Sequence, residues 1–447
     1  MSISLEDGSR VGVIGGGPAG SFFAYFLLSF AQRMDLKVDV DIYEPRNFKM
    51  AGSGGCNMCG GIVSESLVQA LAIEGIDLPS TVVQRGIDSY VLHTAETSVT
   101  IDTPLNEKRI AALHRGGGPR DVEVLEWGGL DGYLLDLAQD LGAKVVPTRV
   151  SDVDWDEDRP QVRLKDSAAT YDLLVGATGV NSSAWEIFER IGLTYRRPEV
   201  TKAYVTELKL GADAITDHFG NAMHIFFLNL PRLDCAAIIP KGNYVTVCLL
   251  GEDIDRELID SFFNDPAVSR CFPPEFNLEQ GACHCSPKIN IREAKMPFID
   301  RVVLVGDCGV TRLYKDGIGA AYRTAKAAAR TAAFSGVSAG DFKQHYWPTY
   351  RSIAGDNRYG HFTFGVVHWI KAFQPFVRGV VRMTEREQSN PGTASRMSTV
   401  LWDMFTGSAP YRDVFVRTLD PRFLGRFGWE STLSVRKRGS EGARANG

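Results

Sequence analysis

Four short groups of residues have the types and spacings that chemistry requires. Gly15, Gly17 and Gly20 in RVGVIGGGPAG form G-x-G-x-x-G. In that pattern the first glycine permits a tight turn. The second lets the backbone approach a pyrophosphate, and the third lets a helix pack closely on a strand. Glu44 ends the next strand, where a carboxylate accepts the hydroxyls of a ribose. Cys56 and Cys59 stand in C-x-x-C spacing within a glycine-dense loop, a pattern of redox, metal or active-site thiols. Asp307 follows an apolar strand, and Gly317-Ile318-Gly319 then opens a helix whose free N–H groups suit an anion or a carbonyl oxygen. The glycine motif predicts a dinucleotide without choosing between FAD and NAD.

The elements that must position these residues are legible in the apolar spacing. Val11, Val13 and Ile14 predict a buried strand, residues 22–30 a helix and residues 37–43 a second strand. Residues 63–73 read as a helix and 84–100 as strands. The basic glycine loop HRGGGPR, residues 114–120, reads as a solvated hairpin turn, with anion binding as the alternative. An amphipathic helix over residues 130–141 ends at Gly142. Strands at 144–150, 161–165 and 170–175 lead into a glycine-rich turn. Strands at 201–210, 224–228, 235–239 and 244–250 predict a separate sheet, followed by a helix at 253–264. A strand at 301–305 and an alanine-rich helix at 320–333 return to the nucleotide fold. From residue 342 the chain is helical and aromatic, through Phe362, Trp369, Phe373, Phe376 and Trp402. A packed helical cap is the expectation there, with an apolar tunnel or membrane-facing wall as the alternative. The tail, residues 434–447, carries Arg436, Lys437 and Arg438 and reads as flexible.

Composition bounds the function. The chain has 447 residues, 44% hydrophobic and 23% charged, as in a large globular enzyme. Its net charge of -5 argues against a general nucleic-acid binder. No secretory signal and no bilayer-spanning apolar run stand out, so a cytoplasmic location is expected, with peripheral membrane contact as a further option. The eight cysteines are then expected as thiols.

Three segments together resemble the FAD-binding fold of the flavin hydroxylase and geranylgeranyl reductase superfamily. They are GGGPAG with Glu44, DLLVGATGVNS at 172–182, and VVLVGDCGVTRLYKDGIGAAYRTAKAA beginning at Val302. The resemblance implies FAD as cofactor, Asp307 on the flavin ribityl, and Gly317 and Gly319 beside the isoalloxazine ring. It departs in two places. Thr178 stands where the hydroxylases carry aspartate, and Lys315-Asp316 stand where proline is usual. A lysine there would stabilise charge on the reduced ring unless it points to solvent.

Within that superfamily, Cys56-Asn-Met-Cys59-Gly-Gly-Ile resembles the C-x-P-C-G-G-A segment of plant-type geranylgeranyl reductases. There the cysteine corresponding to Cys59 faces the flavin. Saturating a carbon–carbon double bond needs a hydride at one carbon and a proton at the other, and a thiol can deliver or relay that proton. A small loop residue or a Cys56–Cys59 disulfide is the plainer alternative. The family's aromatic motif before Pro-Lys is absent: Cys235, Ala237 and Ile239 replace its three rings. That loss leaves space or invites another element to fill it. Cys283-x-Cys285 lacks the C-x-x-C spacing of a metal pair, so no metal is expected from it with Cys56 and Cys59.

The resulting expectation is an α/β chain: a Rossmann-type FAD-binding domain with an inserted antiparallel-sheet substrate domain and a helical C-terminal region. The FAD-binding domain takes residues 1–90, 120–200 and 285–341, the substrate domain 91–119 and 201–284, and the helical region 342–447. The catalytic candidates are Cys59 and Cys56. The cofactor candidates are Gly15, Gly17, Ala19, Gly20, Glu44, Val150, Asp307, Gly317, Ile318 and Gly319. The expected activity is reduction of carbon–carbon double bonds in an apolar, isoprenoid-like small molecule with an external electron donor. A monooxygenase acting on an aromatic or polyketide-like substrate and an FAD electron-transfer protein are the alternatives.

Overall fold

A computed structural model describes residues 3–56, 59–103, 110–122, 128–192, 194–276, 283–390 and 396–444. The chain divides into two compact units. One comprises Met1–Cys59, His114–Thr201 and Pro287–Asn357, and the other Gly60–Leu113, Lys202–Ser286 and Arg358–Gly447.

The first unit is built on a six-stranded sheet in the order Phe298–Ile299, Val302–Leu304, Leu173–Gly176, Ser9–Ile14, Val38–Tyr43, Lys144–Val146. All neighbours but the first pair run parallel, with Val13 opposite both Val175 and Ile42. Strands enclosed on both faces need near-continuous apolar runs, and Val11, Val13, Leu173, Leu174 and Val175 are fully buried. The helices Pro18–Arg33 and Gly317–Phe334 pack together, with Tyr322 edge-on to Phe22 and Phe26 at ring distances of 5.7 and 5.6 Å. Residues 144–150 give only the short strand Lys144–Val146. A three-stranded sheet follows, Asp152–Asp156, Arg159–Arg163 and Ala168–Thr170, and its first strand was not legible in the sequence.

The second unit contains a seven-stranded sheet, mostly antiparallel, with one parallel pair between Ser89–Thr94 and Ala222–Phe227. Side chains alternate between its faces. Tyr90, Leu92, Met223, Ile225 and Phe227 lie on the face covered by C-terminal helices that bring Trp402, Met404 and Phe405. Phe226, Ile238 and Val247 face the other way, towards Phe262, Val268 and Phe272. The helix Arg256–Phe263 starts after Asp255, whose carboxylate accepts the Leu258 N–H at 3.0 Å. The aromatic C-terminal region divides in two. Trp402 and Tyr411 are buried, whereas Phe362, Trp369, Phe373 and Trp429 are exposed. The last helix, Pro421–Arg444, continues through most of the residues read as a tail. Among the described residues no helix is long and apolar enough to cross a membrane.

Trp402 anchors this packing. It is fully buried, its ring meets Tyr90 edge-on at 4.9 Å, and its Nε1–H donates to Glu65 Oε1 at 3.1 Å. Trp402→Ala is expected to lower stability by about 3–5 kcal/mol, from the lost ring and its cavity. Trp402→Phe is expected to cost about 1–3 kcal/mol, because Glu65 keeps its burial and loses its donor. Urea unfolding of the two variants checks both values.

Candidate functional site

The site in the first unit starts from the opening turn. Gly15 has φ +107°, and a Cβ there would lie 2.4 Å from the Ala177 carbonyl oxygen. A Cβ on Gly20 would lie 1.9 Å from the Gly15 oxygen. Both glycines are therefore fixed by backbone approach, whereas Gly17 is open, with only the Arg115 guanidinium within 4 Å of its Cβ position. The helix that begins at Pro18 has no side-chain cap, so its first N–H groups remain available to an anion. Glu44 directly follows the second strand, Val38–Tyr43, and is buried. Its Oε2 accepts the Gly16 N–H at 3.0 Å, and its Oε1 accepts the Arg46 N–H at 3.0 Å. Val150 lies in the apolar core with Ile14 and Tyr43.

The second motif meets the first directly. Gly306 has φ +70°, and a Cβ there would lie 2.6 Å from the Ala19 Cβ. Asp307 follows in a short 3-10 turn, with its backbone carbonyl held by the Asn290 amide at 3.2 Å. Its Oδ1 is buried without a hydrogen-bond partner and lies 3.8 Å from the Cβ position of Gly317. Burial raises the Asp307 carboxyl above the usual carboxylate range, and the positive charge of Arg115 opposes the rise. An enclosed carboxylate oxygen beside an open glycine cradle is what a hydroxyl-bearing dinucleotide would satisfy.

Arg115 is the residue the sequence reading missed. Far from standing in a solvated hairpin, residues 116–119 of the HRGGGPR loop are buried. A Cβ on Gly116 would lie 2.0 Å from the Gly55 oxygen, and one on Gly117 would lie 2.4 Å from the Met50 oxygen. That close approach is the physical reason for the correction. Arg115 Nε and Nη2 donate to Asp131 Oδ1 and Oδ2 at 2.9 and 2.8 Å, and the Asp131 N–H donates to the Arg115 carbonyl at 2.8 Å. Asp131 is fully buried in the first turn of the helix Leu130–Asp140, where the helix dipole also favours its charge. Burial works against the Arg115 charge, but Asp131, and beyond it Cys59 and Asp307, raise its pKa above the ordinary arginine value. One cation thus lies beside Gly17 and acts electrostatically with Cys59 and Asp307.

None of the cysteines is disulfide-bonded, so Cys56 and Cys59 are not joined to each other. Both are half-buried, and the Cys56 N–H donates to the Gly52 carbonyl at 2.7 Å. Asn57 and Met58, between them, lie outside the described residues. Cys308 is inert by burial. Its thiol donates to the Gly176 and Val305 carbonyls, both at 3.2 Å, and its pKa is pushed up to about 11. At the start of the helix Gly317–Phe334, Asp316 rather than Lys315 packs over Gly319. It adopts φ 51° and pairs with Arg323 at 2.8 Å and Arg312 at 3.4 Å. A Cβ on Gly319 would lie 2.0 Å from its Oδ1.

No protein-family description and no curated protein matches the chain. Solved structures do match. The flavin-dependent halogenase CmlS aligns over 92% of this chain and 70% of its own, at 19% identity and a TM-score of 0.55. A flavoprotein/dehydrogenase from Cytophaga hutchinsonii aligns over 96% and 100%, at 15% identity and 0.58. The halogenase PltM, solved in complex with phloroglucinol and FAD, aligns over 97% and 92%, at 13% identity and 0.58. The chain therefore has the fold of FAD-binding flavoproteins, as the three motifs imply.

Two outcomes follow for protein freed of any nucleotide. Arg115→Met strands the buried Asp131 charge and is expected to cost about 3–5 kcal/mol, while Arg115→Met with Asp131→Leu recovers most of it. Thermal melts of the single and double variants measure this. For Asp307 the folded pKa is raised, so ionisation costs stability as pH rises from the unfolded carboxylate value through the folded one. Asp307→Asn should match wild type below about pH 4 and melt higher than wild type at neutral pH. A pH series of melting temperatures decides it.

Proposed function

We propose that this chain is an FAD-dependent oxidoreductase that saturates carbon–carbon double bonds in an apolar, isoprenoid-like small molecule. The observation that carries the reading is the half-buried cation Arg115, held by Asp131 beside Gly17 and within electrostatic reach of Cys59 and Asp307. Gly15, Gly17 and Gly20 would hold the pyrophosphate, with Ala19 packed against Gly306, and Glu44 would hold the adenosine ribose. Val150 would contribute apolar packing. The orphaned Asp307 Oδ1 would accept a ribityl hydroxyl, and Gly317, Ile318 and Gly319 would border the ring.

When bound and reduced, FAD supplies hydride. The other half of the addition is a proton, held on Cys59 Sγ and passed to the neighbouring carbon. Arg115 faces the negative charge that the thiol then carries until solvent returns its proton. Cys56 stands three residues away as a relay thiol. The exposed rings of Phe362, Trp369 and Phe373 support contact with the surface of a cytoplasmic membrane, from which an apolar substrate is drawn. Oxygen-using chemistry is the second reading, favoured by the flavin-dependent halogenases among structures of this fold.

Stopped-flow oxidation of the anaerobically reduced holoprotein separates the two. A prenylated alkene should reoxidise wild-type protein rapidly and leave a product with one double bond fewer. Cys59→Ser should slow that step by about 100-fold or more, without altering the slow reaction with oxygen. Rapid reaction with oxygen and a product carrying an atom from dioxygen overturns the reductase in favour of a monooxygenase. Alkene turnover unchanged in Cys59→Ser removes the thiol from the mechanism.

A further inference from the structure

The second unit gathers three metal-ligating side chains that the reading above does not use. His93 lies on the strand Ser89–Thr94, His224 on Ala222–Phe227, and Cys271 just after the short helix Pro266–Ser269. The two strands run parallel, with Val91 opposite His224 and His93 opposite Phe226. The histidines therefore sit diagonally on one face of the sheet, the face whose core includes Phe226, Cys271 and Phe272. His93 Nε2 and His224 Nδ1 are 2.9 Å apart, and Cys271 Sγ is 3.8 Å from His93 Nε2. All three ligand atoms lie within 4.8 Å of one another.

The geometry points to a zinc site formed by His93 Nε2, His224 Nδ1 and Cys271 Sγ. Zinc bonds of about 2.0–2.1 Å to nitrogen and about 2.3 Å to sulfur, at tetrahedral angles, place two nitrogens about 3.3 Å apart and nitrogen and sulfur about 3.5 Å apart. Two edges of the observed triangle are within about half an ångström of those values, and the third closes by at most about 1.3 Å. Two imidazoles and a thiolate suit zinc rather than magnesium, calcium or manganese, and three protein ligands leave a position for water.

The surroundings hold the ligands in place. Phe226 stacks on His93 at 4.7 Å, and Phe219 meets His224 edge-on at 5.1 Å. The facing charge is Arg270, whose Nε donates to the Pro266 carbonyl at 2.8 Å, and the Cys271 thiolate offsets it. On binding, the thiol proton now donated to the Ala267 carbonyl at 3.3 Å leaves to solvent. The N–H shared between the imidazoles moves to the outer nitrogen of its ring.

Chelator-treated full-length protein, titrated with Co(II) and then with Zn(II), tests the site. One Co(II) per chain with a thiolate-to-cobalt charge-transfer band, displaced by one Zn(II), is expected. Cys271→Ser should abolish the band, and His93→Gln should weaken Zn(II) binding by about 100-fold or more. A band that survives Cys271→Ser, or no Zn(II) retained at micromolar concentration, overturns the assignment. X-ray absorption of zinc-loaded wild-type protein needs no variant. One sulfur with the remaining ligands nitrogen or oxygen supports the site, and two or more sulfurs or none refutes it. These readouts do not involve flavin turnover, so the zinc site and the proposed activity stand or fall separately.

Discussion

A fully buried carboxylate needs a cation beside it, and the Arg115–Asp131 pair is the constraint on which the candidate site depends. Two side-chain hydrogen bonds and one backbone hydrogen bond join residues sixteen positions apart. Isolated burial of either charge would be costly, so the pair holds only if both arrive in register. The chain arranges this with glycines. Gly129, just before the helix that carries Asp131, has its Cβ position 2.7 Å from the Gly116 backbone, so neither segment could approach with a larger residue at 129. The outcome is a fixed positive charge whose long side chain has lost its freedom before any ligand arrives, the state in which a charge acts most effectively on a reacting group.

Much of this unit was legible because glycine geometry and apolar alternation are local signals. The G-x-G-x-x-G turn, the acid at Glu44 and the helix from Gly317 are where the spacing placed them. Arg115 was not legible, for a physical reason. A run of glycines beside a basic residue is equally the composition of a solvated turn and of a loop pressed against another backbone. Only the approach of residues 116 and 117 to Gly55 and Met50 separates the two. The place of Asp316 was not legible for a similar reason. The sequence places Lys315 and Asp316 together, but the left-handed backbone at Asp316 turns its carboxylate onto the helix start, where two arginines hold it.

In the second unit the missing signal is long-range register. His93 and His224 are 131 residues apart, and nothing local says that their strands pair in parallel or with which offset. A shift of one residue would turn one histidine to the opposite face, where Tyr90 and Ile225 pack under Trp402. The same face answers another sequence question. Cys235, Ala237 and Ile239 replace the aromatic residues expected before Pro240-Lys241. Trp402, Met404 and Phe405 from the C-terminal helices belong to the same cluster. Another element has filled the space that the small residues left.

The Pro-Lys-Gly segment then takes on a structural meaning of its own. Lys241 is fully buried, with its Nζ 3.1 Å from Glu207 Oε1, while Thr246 donates to Glu207 Oε2 at 2.8 Å. Gly61 has φ +72°, and a Cβ there would lie 1.9 Å from the Leu113 oxygen and 3.3 Å from Lys241 Nζ. A Cβ on Gly60 would lie 3.1 Å from Cys248 Sγ. Of the two glycines after Cys59, Gly61 therefore answers to packing around a buried lysine and Gly60 to packing against Cys248 and Ile239, while Arg115 carries the charge that acts on Cys59. A motif that reads as one chemical unit in the sequence serves two purposes in the fold. Gly61 and Lys241 explain each other by packing, without catalysis.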